Sequence, residues 1–147
     1  MRWIDLPPVW LLGALLAVRV VARVDPLAYD PGGTRIASVA VVLAALALML
    51  WAVVTMARHR TTVIPHRAPA HLVTTGPFAL SRNPIYLADA AILLAAVHWW
   101  GTPLGLIVAA AFPWLISRRF IVAEEARLAA LAGPMWTAYA ARVRRWL

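Results

Sequence analysis

The sequence predicts an all-α integral membrane protein with about four transmembrane helices, a cytoplasmic loop and C-terminal interfacial helices. Its 147 residues are 63% hydrophobic and only 14% charged, whereas the charged share of an ordinary soluble domain is about 25%. The apolar residues also gather into runs of membrane-spanning length, separated by polar or proline- and glycine-rich connections. A chain of this length has room for a single domain, residues 1–147.

Four apolar runs are the predicted transmembrane helices. They lie near residues 9–24, 36–57, 85–100 and 104–117. The run at 36–57 is the clearest, because it has no charged side chain over a length that crosses the hydrocarbon core of a bilayer. Proline and glycine residues fill the short connections after the first and third runs, which predicts tight turns there.

Residues 59–84 form the longest connection. Its Thr-Thr, Gly-Pro and Asn-Pro pairs favour ordered turns over a flexible linker, and loops of this length in compact proteins are often functional. Asn83 followed by Pro84 is typical of a helix start, with asparagine as the N-cap and proline as the first helical residue. We therefore expect an ordered loop that leads directly into the third transmembrane helix.

The C-terminal segment is predicted to lie at the membrane surface. Arg118 and Arg119 mark the exit from the fourth run, and two helices are expected beyond them, at 120–132 and 134–146. The second of these places aromatic residues along one side and arginines around the rest, a pattern typical of an interfacial amphipathic helix.

The distribution of arginine predicts the orientation in the membrane. All 14 basic residues are arginine, and the net charge is +8. Most of them lie in the N-terminus, the long connection and the C-terminal segment, which four membrane crossings place on one side. The positive-inside rule makes that side cytoplasmic, with both termini on it. Because the arginines cluster at the ends of apolar runs, we expect contact with anionic lipid headgroups and no nucleic-acid partner.

Several kinds of chemistry are excluded or not expected. The sequence has no cysteine, which excludes disulfides, thiolate catalysis and cysteine-ligated zinc. His59, His66 and His71 share one loop but lack carboxylate companions at helical spacing, so no metal site is predicted. A nucleophile elbow, a phosphate-binding glycine loop and the alternating strands of a dinucleotide-binding fold are also missing.

Glu124 is the most informative single residue. At helical spacing it shares a face with Phe120, Leu128 and Leu131, which places a carboxylate on the apolar side of its helix. A carboxylate in that setting suits a cationic or hydroxyl-bearing ligand. A salt bridge with Arg127 or with a loop arginine is the structural alternative.

Two further acids lie near the same motifs, and only Asp89 is a candidate site residue. Glu125 is expected to point elsewhere, near Arg118 on the adjoining face. Asp89 lies about one turn inside the third run, and an ionisable residue within the membrane is a functional hypothesis by default. A structural ion pair of Asp89 with Arg82 or Arg19 is the alternative.

Two motifs in the chain resemble a known superfamily. HLVTTGPFALSRNPIYLAD is followed, after one predicted helical hairpin, by EEARLAALAGPMWTAYAARVRRWL. Together they are similar to the integral-membrane methyltransferases of the isoprenylcysteine carboxyl methyltransferase and phospholipid N-methyltransferase superfamily. The hallmark there is L-V-x-x-G-x-Y-x-x-x-R-H-P-x-Y, then E-E-x-x-L and G-x-x-Y-x-x-Y-x-x-x-V. The resemblance covers residues 61–147 and rests on two motifs with the expected hairpin between them.

The resemblance implies a cytoplasm-facing pocket for S-adenosyl-L-methionine, with a lateral opening for a lipophilic acceptor from the bilayer. It implies that the cofactor contacts fall on residues of the loop, of the start of the third helix and of the glutamate helix. These are Ala70, His71, Leu72, Val73, Phe78, Arg82, Asn83, Pro84, Ile85, Tyr86 and Glu124.

The residue chemistry fits this implication. Aromatic faces can meet a methylsulfonium cation, Glu124 can meet its amino group, and Arg82 or loop N–H groups can meet its carboxylate. Asp89, Arg118 and Arg119 are the candidate substrate residues. No general base is required by the sequence, and Asp89 and Glu124 are the candidates for that role.

Three departures from the superfamily pattern bear on function. Phe78 replaces a tyrosine, Asn83 replaces the histidine of R-H-P, and Phe120 stands where the eukaryotic isoprenylcysteine enzymes carry a substrate-contacting arginine. Bacterial relatives often carry the R-N-P version, which favours a subfamily difference and a bacterial inner-membrane location. The losses also keep open an alternative, a non-catalytic ligand-binding or scaffold protein that retains the methyltransferase fold. A transporter is disfavoured because inverted repeats are missing.

Overall fold

The computed structural model describes residues 6–59 and 72–147, and within these ranges all regular structure is helical. The α-helices are α1 Pro7–Val24, α2 Arg35–Arg58, α3 Pro84–Trp99, α4 Gly105–Ile116, α5 Val122–Ala132 and α6 Pro134–Arg142. Short 3₁₀ turns cover Gly32–Thr34 and Gly76–Ala79, and a π-helical stretch covers Ser117–Ile121. The predicted all-α fold is confirmed.

The predicted spans correspond to helices within two residues at each end. Three helical runs are long and apolar enough to cross a membrane, namely Pro7–Val24, Gly32–Arg58 and Gly105–Ala132. The fourth apolar helix, α3, has 16 residues, and at a rise of about 1.5 Å per residue it is about 24 Å long. That is somewhat shorter than the hydrocarbon core of about 30 Å. With three spanning helices and this shorter apolar one, the expectation of about four spans is roughly compatible with the structure.

The C-terminal half of the last long run differs from the prediction. We expected the helix to end at the arginine pair and a separate helix to begin at residue 120, but the helical run Gly105–Ala132 is continuous. Within it the π-helical stretch Ser117–Ile121 accommodates one extra residue in a turn. One residue corresponds to about 100° of rotation about the helix axis, because a turn holds about 3.6 residues. The downstream residues therefore present a different face from the one that uniform spacing predicts.

Burial along α5 differs from the face that the sequence predicts. Leu131, expected on the apolar face with Glu124, is 51% exposed, whereas its neighbour Ala132 is 7% exposed. The side chain of Glu125, expected to point away near Arg118, is only 13% exposed. The predicted face is thus wrong by one residue at these positions, and both glutamates are half-buried.

The described chain forms two compact units, and the first combines residues 6–45 with 89–116. In it α1 packs against α4, and an apolar groove of about 450 Å³ lies between these two helices. At their polar end the Asp25 carboxylate accepts hydrogen bonds from Thr102 Oγ1 at 2.6 Å, Leu104 N at 3.0 Å and Leu27 N at 2.8 Å. Burial favours the neutral acid, but these three donors outweigh it and hold the pKa of Asp25 below its ordinary value.

A second contact in this unit joins its turns. Tyr29 N donates to Gly101 O at 2.9 Å, and Gly101 adopts a φ of +58°. His98, in the last turn of α3, lies 2.9 Å from the Tyr29 hydroxyl through Nδ1 and 3.2 Å from the Thr34 hydroxyl through Nε2. These polar contacts hold the α1–α2 connection against the end of the α3–α4 hairpin.

The second unit combines residues 46–59, 72–88 and 117–147. Its core contains Ala132, Trp136 and Tyr139, against which Leu72, Leu128, Ala129, Ala140 and Val143 pack. The ring centroids of Trp136 and Tyr139 are 5.8 Å apart in an edge-on arrangement. α5 and α6 thus pack together and bury the described end of the long connection.

Candidate functional site

The two sequence motifs meet through a hydrogen bond between side chains that lie 38 positions apart. The Tyr86 hydroxyl donates to Glu124 Oε1 at 3.0 Å. Tyr86 lies in the first turn of α3 and Glu124 in the first turn of α5. The Tyr86 ring is buried and stacks on Phe120, with centroids 6.4 Å apart and planes tilted by 28°. An aromatic surface and an acceptor carboxylate therefore lie next to each other.

A second contact joins the segment just before α3 to α5, one residue further along α5. Arg82 Nη1 lies 3.1 Å from Glu125 Oε1. Arg145 approaches the same carboxylate with two donors, Nε at 3.1 Å from Oε1 and Nη2 at 2.6 Å from Oε2. The hydrogen bonds to Glu125 raise the pKa of the Arg145 guanidinium, against the opposing effect of burial. Glu125 thus bridges two arginines.

The C-terminal tail also binds the backbone and side chains of the Ser-Arg-Asn sequence that precedes α3. Arg82 N donates to Arg144 O at 2.9 Å. Arg145 O accepts from Asn83 Nδ2 at 3.0 Å and from Ser81 Oγ at 3.3 Å. α3 begins at Pro84, as expected. The side-chain amide of Asn83, the predicted N-cap of this helix, donates to the C-terminal tail.

Phe78 and Tyr139 connect the loop to the C-terminal core. The Tyr139 hydroxyl donates to Phe78 O at 2.7 Å. Burial raises the pKa of the Tyr139 phenol to about 12, with the Glu125 carboxylate acting in the same direction and the Arg82 guanidinium opposing it. The Arg82 guanidinium also lies 5.7 Å from the centroid of Trp136, within the range of a cation–π contact.

Most of the predicted cofactor contacts belong to this second unit. In the described ranges they are Leu72, Val73, Phe78, Arg82, Asn83, Pro84, Ile85, Tyr86 and Glu124. Ala70 and His71 lie outside the described residues, as do His66 and the rest of residues 60–71 of the predicted loop.

The predicted substrate residues are placed differently. Asp89 belongs to the first unit and is 4% exposed. Arg118 and Arg119 are exposed in the π-helical stretch, and the Arg119 guanidinium lies 5.5 Å from the centroid of the Phe120 ring.

Glu125 and Arg145 are the residues that sequence reasoning missed. The superfamily motif contains both glutamates, but regular helical spacing predicted that Glu125 points away from the site. No local signal identifies Arg145, because three arginines lie within the last six residues and only tertiary packing selects one of them.

The side chains of this site can meet both a cationic and an anionic group. Glu124 offers a half-buried carboxylate to a cation, and Tyr86 and Phe120 offer aromatic rings. Arg82 Nε is buried and has no hydrogen-bond partner in the described part of the chain. A buried N–H without an acceptor costs about 1–3 kcal/mol, which an anionic group beside it would recover.

A model of the phospholipid methyltransferase family matches residues 34–132, about two thirds of the sequence. The chain belongs to the phospholipid methyltransferase family. No curated protein matches it, and no solved structure does. Membership of this family, together with the apolar helices, makes the chain an integral membrane protein of the methyltransferase type. The matched range contains Arg82, Tyr86 and both glutamates, and it ends before Arg145.

Proposed function

We propose that this phospholipid methyltransferase family member transfers a methyl group from S-adenosyl-L-methionine to a lipophilic acceptor that enters from the bilayer. The observation that carries the proposal is the hydrogen bond from Tyr86 to Glu124, which joins the loop motif to the glutamate motif in one place. A carboxylate oriented by a phenol and flanked by an aromatic pair is suited to a cationic ligand. The cofactor would bind on the cytoplasmic side, where the arginine distribution places this loop.

S-adenosyl-L-methionine supplies an electrophilic methyl group on a sulfonium, whose sulfur departs with the bonding electrons. The protein's own part is to bind, orient and exclude water. Glu124 would accept hydrogen bonds from the cofactor's ammonium group, and Tyr86 would hold that carboxylate in one orientation. The aromatic faces of Tyr86 and Phe120 would stabilise positive charge near them. Leu72, Val73, Phe78, Asn83, Pro84 and Ile85 would form the surrounding wall, with Ala70 and His71.

The acceptor would carry an oxygen, nitrogen or sulfur nucleophile on a lipophilic or membrane-associated molecule. A carboxylate or thiolate needs no base, whereas an amine must be neutral when it attacks. Asp89 and Glu124 are the acids that could take a proton from a protonated acceptor. The exposed Arg118 and Arg119 suit the phosphates of anionic headgroups, and would hold such an acceptor or its neighbouring lipids at the interface.

Calorimetric titration of the purified protein in lipid nanodiscs with S-adenosylhomocysteine tests cofactor use. We expect the wild type to bind and Glu124→Gln to weaken binding by about 10- to 100-fold, because a hydrogen bond to a charged group contributes about 1.5–3 kcal/mol. Asp30→Asn is the matched control, since it removes an exposed carboxylate in the first unit. Absence of any binding heat from the wild type at saturating ligand would overturn the proposal.

A labelled-methyl assay on total membrane extract identifies the acceptor class. Label in the lipid fraction would point to a lipid acceptor, label in the peptide fraction to a modified protein, and label in small thiols to a soluble acceptor that overturns the lipophilic assignment. Binding of the cofactor without any transfer would favour the non-catalytic alternative. That alternative is based partly on the replacement of the motif histidine by Asn83, whose side-chain amide donates to the C-terminal tail.

A further inference from the structure

The arginine pair around Glu125 carries a charge imbalance. Arg82 and Arg145 both approach this one carboxylate, so the three side chains together carry one excess positive charge. The side chains of Arg82 and Glu125 are only 17% and 13% exposed. Excess charge in such a setting is poorly screened by water and attracts an anion.

The geometry fixes Arg82 on several sides. Its Nη1 binds Glu125, its guanidinium lies over Trp136, and its backbone N–H donates to Arg144 O. Its Nε has no hydrogen-bond partner among residues 6–59 and 72–147. The Arg82 side chain is therefore held in one place, and its Nε–H is a buried donor without an acceptor in the described ranges.

We propose that Glu125 and Arg145 are positioning residues, which hold Arg82 so that its guanidinium binds the carboxylate of the amino-acid end of the cofactor. This inference rests on the proposed function and assigns roles within the same site. Arg145 neutralises most of the charge on Glu125, so that Glu125 orients Arg82 without cancelling its positive charge. The tail carbonyls of Arg144 and Arg145 fix the backbone and the Asn83 side chain at the same point.

The two adjacent glutamates would then have opposite roles. Glu124, bound to Tyr86, presents negative charge to the cofactor's ammonium. Glu125, bound to two arginines, is the centre of a positively charged cluster for the carboxylate. A zwitterionic amino-acid group needs both charges at once. A ligand that lacks the carboxylate loses one of the two interactions.

Two ligands separate this role from a purely structural one. S-adenosylhomocysteine carries the carboxylate, and its decarboxylated analogue lacks only that group. We expect the wild type in lipid nanodiscs to prefer S-adenosylhomocysteine by about 10- to 100-fold, the worth of about 1.5–3 kcal/mol for a charged hydrogen bond. Arg82→Gln should abolish the preference. Arg145→Gln should reduce the preference for S-adenosylhomocysteine to about threefold or less, because Glu125 then pairs with Arg82 alone and cancels more of its positive charge.

Arg142→Gln is the matched control. It removes the same charge from the same C-terminal segment, but Arg142 Nε donates to Ala138 O of its own helix, and the ligand preference should stay at the wild-type value. Arg145→Lys keeps the charge and loses the paired guanidinium contact, so it should give an intermediate preference. It also supplies a second variant if Arg145→Gln does not fold in thermal unfolding measurements.

The outcomes separate the two proposals. Equal loss of affinity for both ligands in Arg145→Gln, or an unchanged preference, would overturn the positioning role while leaving cofactor binding intact. A wild type that binds neither ligand would overturn the proposed function itself. A wild type that binds both ligands equally would show that no carboxylate contact exists, which overturns this inference alone.

Discussion

At the scale of single residues, neighbouring side chains of the same type have different surroundings. Glu124 accepts a hydrogen bond from the Tyr86 phenol, and Glu125 contacts the guanidinium groups of Arg82 and Arg145. The sequence places both acids in one motif, but adjacent residues of a helix point about 100° apart, so the two side chains meet different neighbours. Chemical role is therefore decided by which neighbour packing supplies, since the two carboxylates have the same intrinsic chemistry.

Tyr139 gives the residue-scale prediction. Burial raises the pKa of its phenol to about 12, above the ordinary value of about 10. The folded state therefore keeps this proton when the unfolded chain has lost it, so stability falls as pH rises from about 10 to about 12. We expect Tyr139→Phe to remove this pH dependence and to lower stability below pH 10 by about 1–2 kcal/mol, because Phe78 O loses its donor.

Thermal unfolding across that alkaline range, with ultraviolet titration of tyrosinate, measures the effect. Tyr29→Phe is the control, since its hydroxyl lies in the exposed contact with His98. A Tyr139→Phe variant that retains the wild-type slope of stability with pH would contradict the assignment.

At the scale of elements, the turns of the first unit depend on a close backbone approach. A Cβ atom on Gly101 would lie 1.8 Å from Tyr29 O, which is a backbone atom that cannot move alone. The residue also has a φ of +58°, in the left-handed region that favours glycine. The proline- and glycine-rich composition predicted turns at both places, but the contact between them depends on tertiary packing.

We expect Gly101→Ala to destabilise the protein by more than about 3 kcal/mol, since backbone strain and a steric clash act together. Thermal unfolding in lipid nanodiscs, followed by circular dichroism, measures this. Gly33→Ala is the control, because a Cβ there would meet nothing within 4 Å. Equal effects of the two substitutions would show that the turns are not packed as described.

At the scale of the whole molecule, the apolar helices make the protein an integral membrane protein. Its orientation remains the prediction of the arginine distribution, with the turn at 25–34 outside and the C-terminal helices inside. The absence of native cysteine allows each introduced thiol to be the only one in the chain.

Labelling with a membrane-impermeant maleimide tests this orientation. Asp30→Cys should react in intact cells, because that side chain is 76% exposed in the turn predicted to lie outside. Thr137→Cys, on the exposed side of α6, should react only after permeabilisation. The cysteine-free wild type should not react at all, and the reverse labelling pattern would show that the orientation is inverted.

The sequence by itself determined the membrane class, the positions of the apolar helices and the family, because hydrophobic run length and motif spacing are properties of the local chain. The resemblance also implied that Tyr86 and Glu124 lie in one site, and in the structure a hydrogen bond joins them. Only the tertiary structure revealed that Glu125 bridges Arg82 and Arg145. These partners lie 20 or more positions from Glu125 along the chain, and a π-helical stretch interrupts the regular spacing just before its helix. Regular periodicity cannot predict such a local departure from itself.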